Sequence, residues 1–355
     1  MVLEMQKYFK YFQKNLFNPG RLNYLILYVT SQCNSSCRTC FLHESLNADN
    51  DLSLAEYQRI SEKLGNFSVL LLSGGEPFLR KDLREICALF IQRNHVDTLS
   101  IPTNGLLTDE IVKVTDALAA NFPRTVVSVN PSLDGMREYH DRLRGVAGCF
   151  DRVIETIRAL ERIKEKHRNV QIIVNSVVQS DNIEELRRLC DYLKSFNLDY
   201  QAFEPLRGDC RDENLKLPSD RDMKDLHQMI AAARKCRARN VFEKMVVTGS
   251  LRYIQKIKED ALIGKNWPVA CAAGKSIAVI YPDGGAALCE LRPVAGNLRE
   301  HDYDLPAILL QVSGQSGLRE QQTMCSGCTH ICFLNASLAR DWKTMFKIPF
   351  YYFKK

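Results

Sequence analysis

Short apolar runs alternate with amphipathic stretches from residue 24 to about residue 204. Runs rich in β-branched and aromatic residues at 24–30, 68–73, 97–102, 125–132, 170–178 and 198–204 predict strands. Apolar residues at helical spacing predict helices near 53–64, 80–93, 107–120, 150–167 and 182–196. Ser53 and Glu56 have capping-box spacing at the start of the first helix. Such alternation implies parallel strands joined by right-handed crossovers. Six strand–helix units are too few for a closed eight-stranded barrel. By the logic of closed barrels, polar residues at the C-terminal ends of strands become the site candidates.

Reading those ends gives a consistent set. The third run ends Thr103-Asn104-Gly105, and the fourth continues to Ser132 and Asp134-Gly135. Asp134-Gly135 reads most simply as a turn. Arg144 suits either a bidentate carboxylate contact or a loop anchor. The fifth run contains Asn175, and the sixth leads to Glu204 and Arg207, both expected to face a substrate space. Residues 205–220, with Pro205, Gly208 and Pro218, read as a linker before helical stretches at 219–239 and 250–262. An apolar run at 277–281, then Pro282-Asp283-Gly284, predicts a hairpin that brings Cys271 and Cys289 together. The expected division is a basic, aromatic helix (1–20), a partial barrel (21–208), linker and helices (209–265), a small hairpin domain (266–335) and an aromatic, basic tail (336–355).

Composition changes this picture little. Of 355 residues, 45% are hydrophobic and 25% charged, the mix of an ordinary globular chain. A net charge of +6 without an aromatic-studded basic block gives no reason to expect nucleic acid. Thirteen cysteines are an odd number, and no signal-peptide pattern precedes them, which argues against a disulfide-rich secreted protein. The expected location is cytoplasmic. Lysines and aromatics mix at both ends, as at Lys7–Phe17 and Trp342–Lys355, which raises peripheral contact with the inner membrane surface. No apolar run approaches the roughly 20 residues of a membrane span.

Eight of the thirteen cysteines fall in two groups, and there the chemistry concentrates. Cys33, Cys37 and Cys40 follow the first strand in a C-x3-C-x2-C run. Zinc would need a fourth ligand and usually shows paired C-x2-C motifs. Three thiols from one loop instead suit an iron–sulfur cluster with one iron left open to a small molecule. At the end of the second apolar run stands Ser73-Gly74-Gly75-Glu76-Pro77, where glycines allow close backbone approach and Glu76 offers a charged acceptor. The scattered Cys87, Cys149, Cys190, Cys210 and Cys236 read as small buried apolar residues.

These two motifs, in this order and spacing, resemble the radical S-adenosylmethionine (radical SAM) superfamily. The resemblance implies a partial (β/α)6 TIM-like barrel and a [4Fe–4S] cluster on Cys33, Cys37 and Cys40 that binds SAM. It implies that Ser73, Gly74, Gly75 and Glu76 close on the methionine amino group, with Thr103 and Asn104 beside the cluster loop. Ser132 and Asn175 are the candidates for the ribose and carboxylate, and Arg144 is a further cofactor-binding candidate if it is not a loop anchor. An aromatic residue often precedes the third cysteine in that family. Here Thr39 does and Phe41 follows, so Phe41, another side chain or a backbone group lines the adenine. The implied chemistry is reductive cleavage of SAM to a 5′-deoxyadenosyl radical that abstracts hydrogen from a substrate, with electrons from a flavodoxin- or ferredoxin-type reductant.

Cys271, the hairpin, Cys289 and then Cys325, Cys328 and Cys332 resemble the SPASM/twitch extensions of radical SAM enzymes. That implies an auxiliary [4Fe–4S] cluster, most simply on Cys271, Cys289, Cys325 and Cys328, with Cys332 able to replace one of them. A structural four-cysteine zinc site needs the same geometry. His330 reads as a loop residue. Three functions stay open: a radical SAM oxidoreductase acting on a sugar, cyclitol or lipid-linked small molecule, a peptide maturase of the same superfamily, or a non-catalytic iron–sulfur or zinc protein.

Overall fold

A computed structural model describes Gln13 and residues 21–233, 241–313 and 328–353. The expected helix at 1–20, apart from Gln13, lies outside the described residues, as do Cys236 and Cys325.

The first half follows the alternation read from the sequence. It runs β1 (Tyr24–Thr30), α1 (Leu54–Lys63), β2 (Val69–Gly74), α2 (Leu83–Asn94), β3 (Thr98–Thr103), α3 (Thr108–Asn121) and β4 (Val126–Pro131). Next come α4 (Arg137–Arg144), α5 (Cys149–Lys166), β5 (Val170–Val178), α6 (Ile183–Leu193) and β6 (Tyr200–Pro205). The second half holds α7 (Asp220–Ala233), α8 (Val241–Leu262), β7 (Ile277–Ile280), β8 (Gly285–Ala287), β9 (Val294–Asn297), α9 (Leu305–Ser313), α10 (Ile331–Leu338) and α11 (Trp342–Phe353). The capping box forms as expected: Glu56 N–H donates to Ser53 Oγ at 3.3 Å, and Ser53 N–H returns to the Glu56 carboxylate at 2.8 Å.

β1 to β6 pair in parallel, each beside its predecessor, in an unclosed partial barrel. Strand alternation sorts the side chains. Leu25, Leu27, Leu70, Leu72, Leu99 and Ile101 point outward into a core shared with the covering helices. Ile26 and Tyr28 point to the other face.

The second half departs from a separate appendage. β7 pairs in parallel with β1, Tyr24 against Ile277 through Leu27 against Ile280, so the hairpin continues the barrel's own sheet. The expected hairpin is present: β8 runs antiparallel to β7, and a third strand, β9, which the sequence pattern did not reveal, completes a nine-stranded sheet. Phe333 and Ala336 of α10 then pack with Ile26, Tyr28, Ile277 and Val279. The C-terminal segment thereby covers one end of the barrel's inner face.

Candidate active site

The loop after β1 is held by backbone contacts from several directions. Ser36 N–H donates to Arg144 O at 3.1 Å and Arg38 N–H to Leu143 O at 2.9 Å, so the end of α4 supports its middle. Residues 205–220, expected as a linker, instead cross this loop: Arg211 N–H donates to Cys40 O and Asp212 N–H to Arg38 O, both at 3.0 Å. The Asp212 carboxylate also pairs with Arg38. Asn104 Nδ2 donates to Asn34 Oδ1 at 2.7 Å and to Ser35 Oγ at 3.0 Å. Together these bonds fix the path of a loop whose backbone groups no helix or strand pairs.

Gly74 and Gly75 serve this loop as well as the cavity. Gly75 N–H donates to Thr30 O, and Glu76 N–H to Gln32 O, both at 2.8 Å. A Cβ on Gly74 would stand 2.3 Å from Thr30 O, and one on Gly75 would stand 2.1 Å from Gln32 O. Gly74 also has φ of +135°, a conformation side-chain-bearing residues rarely adopt. The glycines are required first by the backbone of the cysteine loop.

Cys33, Cys37 and Cys40 border one cavity of about 260 Å³ at the C-terminal ends of the strands. Phe41, Ser73, Gly74, Gly75 and Glu76 line it from the neighbouring segments. Thr103, Asn104, Ser132, Arg144 and Asn175 complete the set expected from the sequence, and Glu204 and Arg207 border the same space. Burial pushes the Cys33 thiol up to about 11 and raises Cys40 as well, so both await a cationic partner to become thiolates. Among the described residues no three acidic, histidine or cysteine side chains crowd closely enough for a single metal ion. Thiols ringing a cavity fit a cluster, whose cysteines bind separate irons.

Glu76 is buried and accepts three hydrogen bonds, which leaves one acceptor position of its carboxylate for a further donor. Its Oε1 accepts from Thr103 Oγ1 at 2.8 Å and from Phe78 N–H at 3.2 Å, and its Oε2 accepts from Asn104 N–H at 2.7 Å. Burial raises its carboxyl to about 7 despite these bonds.

Two residues dismissed or unremarked in the sequence organise this site. Asp134 is no simple turn residue: it is completely buried, its Oδ1 accepts from Val177 N–H at 2.8 Å and its Oδ2 pairs with Arg144 at 2.6 Å. Arg144 is thus anchored on the protein's own carboxylate, and its remaining Nη1 faces Cys37 Sγ at 3.7 Å. Glu290, adjacent to Cys289, is the second. Tyr28 Oη donates to it at 2.5 Å, His330 Nε2 bonds its other oxygen and Arg207 lies at 3.6 Å. Burial opposes ionisation of Glu290, but His330 and Arg207 beside it hold its carboxyl well below the usual range. Tyr28 and Glu290 are 262 positions apart, so no local pattern could have paired them.

The C-terminal cysteines come from three elements. Cys271 precedes β7, Cys289 follows β8, and Cys328 precedes α10 with its carbonyl accepting from Trp267 Nε1 at 2.6 Å. Cys271 and Cys328 are charge neighbours of Cys289, whose thiol burial pushes up to about 12. Cys332 neighbours Tyr24, Glu290 and Arg207. His330 is buried and bound to Glu290.

The family model of the radical SAM superfamily matches residues 27–193. The Fe-coproporphyrin III synthase of Methanosarcina barkeri is 28% identical over 219 residues, 59% of this chain, and the chain spans 52% of that relative's length. The AdoMet-dependent heme synthase of the same organism is 26% identical over 329 residues, 84% of this chain and 89% of the relative. Among solved structures, native anSMEcpe with bound AdoMet and Cp18Cys peptide superimposes with a TM-score of 0.55 at 19% identity, covering 83% of this chain and 84% of that one.

Proposed function

From the premise that this chain is a radical SAM enzyme, with a radical SAM domain at residues 27–193 and [4Fe–4S] and SAM as cofactors, we propose oxidation of a small hydroxyl- or amine-bearing substrate. Cys33, Cys37 and Cys40 hold the cluster, and when bound, cluster and SAM supply one-electron cleavage of SAM and hydrogen abstraction from substrate. Glu76 accepts from the methionine amino group. Arg144, locked by Asp134, faces Cys37, and Ser132 and Asn175 serve the ribose and carboxylate. Phe41 lines the adenine side.

The observation carrying the substrate class is Glu204. Its Oε1 accepts from Lys258 Nζ at 3.0 Å, while its Oε2 is buried at the cavity wall and has no hydrogen-bond partner among the described residues. A buried acceptor left unpaired is costly, and a substrate hydroxyl or amine would satisfy it. Arg207, stacked 5.5 Å from the Phe41 ring, supplies a positive group nearby. A sugar, cyclitol or lipid-linked group of this kind fits both. In the same reading, Cys271, Cys289 and Cys328, with Cys325 as fourth ligand or Cys332 replacing one of the four, would hold an auxiliary [4Fe–4S] cluster, which would supply a one-electron acceptor for the oxidation. A flavodoxin- or ferredoxin-type protein supplies the reductant. The alternative, peptide modification, is favoured by the fold shared with a structure that holds a peptide.

The test is anaerobic reconstitution with iron and sulfide, then reaction with SAM, a reductant and candidate substrates deuterated at carbinol carbons. Deuterium carried into 5′-deoxyadenosine from a polyol or amino alcohol supports the proposal. Transfer from peptides alone moves the protein to the maturase reading. No SAM cleavage with a loaded cluster removes the catalytic assignment.

A further inference from the structure

α11 is amphipathic in an unusual sense. Thr344 and Ile348 on one side are buried. Those residues and Tyr351 turn toward α8: a Cβ on Gly249 would stand 2.2 Å from Ile348 O, and the Tyr253 and Tyr351 rings lie 4.6 Å apart. Arg252 Nη1 donates to Tyr352 O at 2.6 Å near the C-terminal end. The helix is therefore fastened along one side.

Its other side is aromatic and exposed. Trp342 is 58% exposed, Phe346 67%, Phe350 70% and Phe353 69%. At helical spacing these four fall within an arc of about 80°. Isolated exposed apolar residues need no explanation, but four large rings in one row do. Lys343 and Lys347, both exposed, occupy the strip beside the ridge. The Lys343 ammonium lies 5.9 Å from the Trp342 ring centre. The nearby acid Asp341 accepts from Thr344 Oγ1 at 2.8 Å, at the helix start rather than on the ridge.

Aromatic rings beside lysines match the boundary of a bilayer with anionic headgroups: the rings enter the interface and the ammonium groups meet phosphates. We propose that the exposed face of α11 seats this protein on an anionic phospholipid surface. The helix lies in the plane of the interface, consistent with the absence, among the described residues, of any helix long and apolar enough to cross a membrane. Charge complementarity commits the face to an anionic bilayer, because the Lys343 and Lys347 ammonium groups flank the rings on the side where headgroup phosphates would lie. The seat is mechanically joined to the catalytic cavity. Lys258 lies on α8 about 14 Å beyond the Gly249 contact, and its Nζ donates to Phe203 O at 2.7 Å and to Glu204. A seated α11 would hold that cavity at a fixed stand-off from the headgroups.

The experiment is co-sedimentation of the full chain with vesicles of phosphatidylcholine, with and without phosphatidylglycerol, at low and high salt. Binding is expected on the anionic vesicles only, weakening as salt rises. Lys343→Gln with Lys347→Gln should reduce it about thirtyfold, and Phe346→Ser with Phe350→Ser by more than about tenfold. Leu310→Ser, an exposed apolar residue of α9, is the control and should change nothing. All these positions are exposed, so melting temperatures should stay near that of the parent. Failure of the parent to sediment, or sedimentation indifferent to both double variants, overturns the proposal. A concentration-dependent dimer in sedimentation velocity that the phenylalanine variants abolish would assign the face to a second copy and overturn it too. None of these readouts depends on cluster loading or turnover, so the catalytic reading stands or falls separately.

Discussion

The cysteine loop after β1 and the C-terminal cysteine segment gather thiols in opposite ways. In the first, Cys33, Cys37 and Cys40 lie within eight residues, so one loop conformation brings all three to the cavity. The rest of the protein only has to hold that loop, and Asn104, the end of α4 and residues 211–212 do so through its backbone. In the second, Cys271, Cys289 and Cys328 stand on separate elements and come into one neighbourhood only because β7 joins β1 and α10 packs over the sheet. The first arrangement is local and belongs to the barrel. The second depends on the completed sheet.

That difference can be broken experimentally. Cys37→Ala should abolish SAM cleavage and lower reconstituted iron by about four per chain, measured as iron, sulfide and 5′-deoxyadenosine. Cys289→Ala should leave SAM cleavage in place and remove substrate oxidation. Equal loss of both activities in the two variants would end the division of labour.

Asp134→Ala leaves Arg144 charged and uncompensated in a buried site, a loss of about 3–5 kcal/mol in unfolding free energy. Denaturant titration checks this, and the double variant with Arg144→Met should recover much of the stability but not SAM binding. Glu290→Gln, which keeps the shape but removes the charge shared by Tyr28, His330 and Arg207, should cost about 2 kcal/mol. Its spectroscopic effect should fall on the C-terminal centre and spare the loop cluster. An unchanged melt would show that Glu290 does not tie the two regions together.

Glu76 sharpens the comparison through pH. Burial pushes its carboxyl up to about 7. Below that value the protonated form loses the negative charge that pairs with the methionine ammonium. SAM affinity should therefore fall about tenfold per pH unit below 7 and level off above it. Titration calorimetry would read this, and Glu76→Gln should flatten the profile. The smallest effect expected is at the entry to α1, where Ser53→Ala removes a cap worth about 1 kcal/mol with no change in either cysteine region.

Much of the first half was legible in order. The six strands and the helices between them were predicted with ends shifted by a few residues, because alternating and helical periodicities are properties of short windows. Every barrel site residue expected from the motifs lines the same cavity, since each sits at a strand end or in a segment that follows one on the same rim. The short helix Arg137–Arg144 and the strand Val294–Asn297 were not anticipated. Neither has enough residues to show a period.

The sequence by itself determined the alternating architecture, the thiol loop, the Gly-Gly-Glu-Pro segment and hence the cofactor chemistry. Each is written in contacts a few positions apart. Tertiary structure alone decided that the hairpin extends the barrel's sheet, that residues 205–220 cross the cysteine loop, and that Asp134 clamps Arg144. It alone decided that Tyr28 shares Glu290 with Arg207 and His330, and which side of α11 is bare. Those outcomes rest on which distant groups can be buried and satisfied together, and that is settled only when the whole chain has packed.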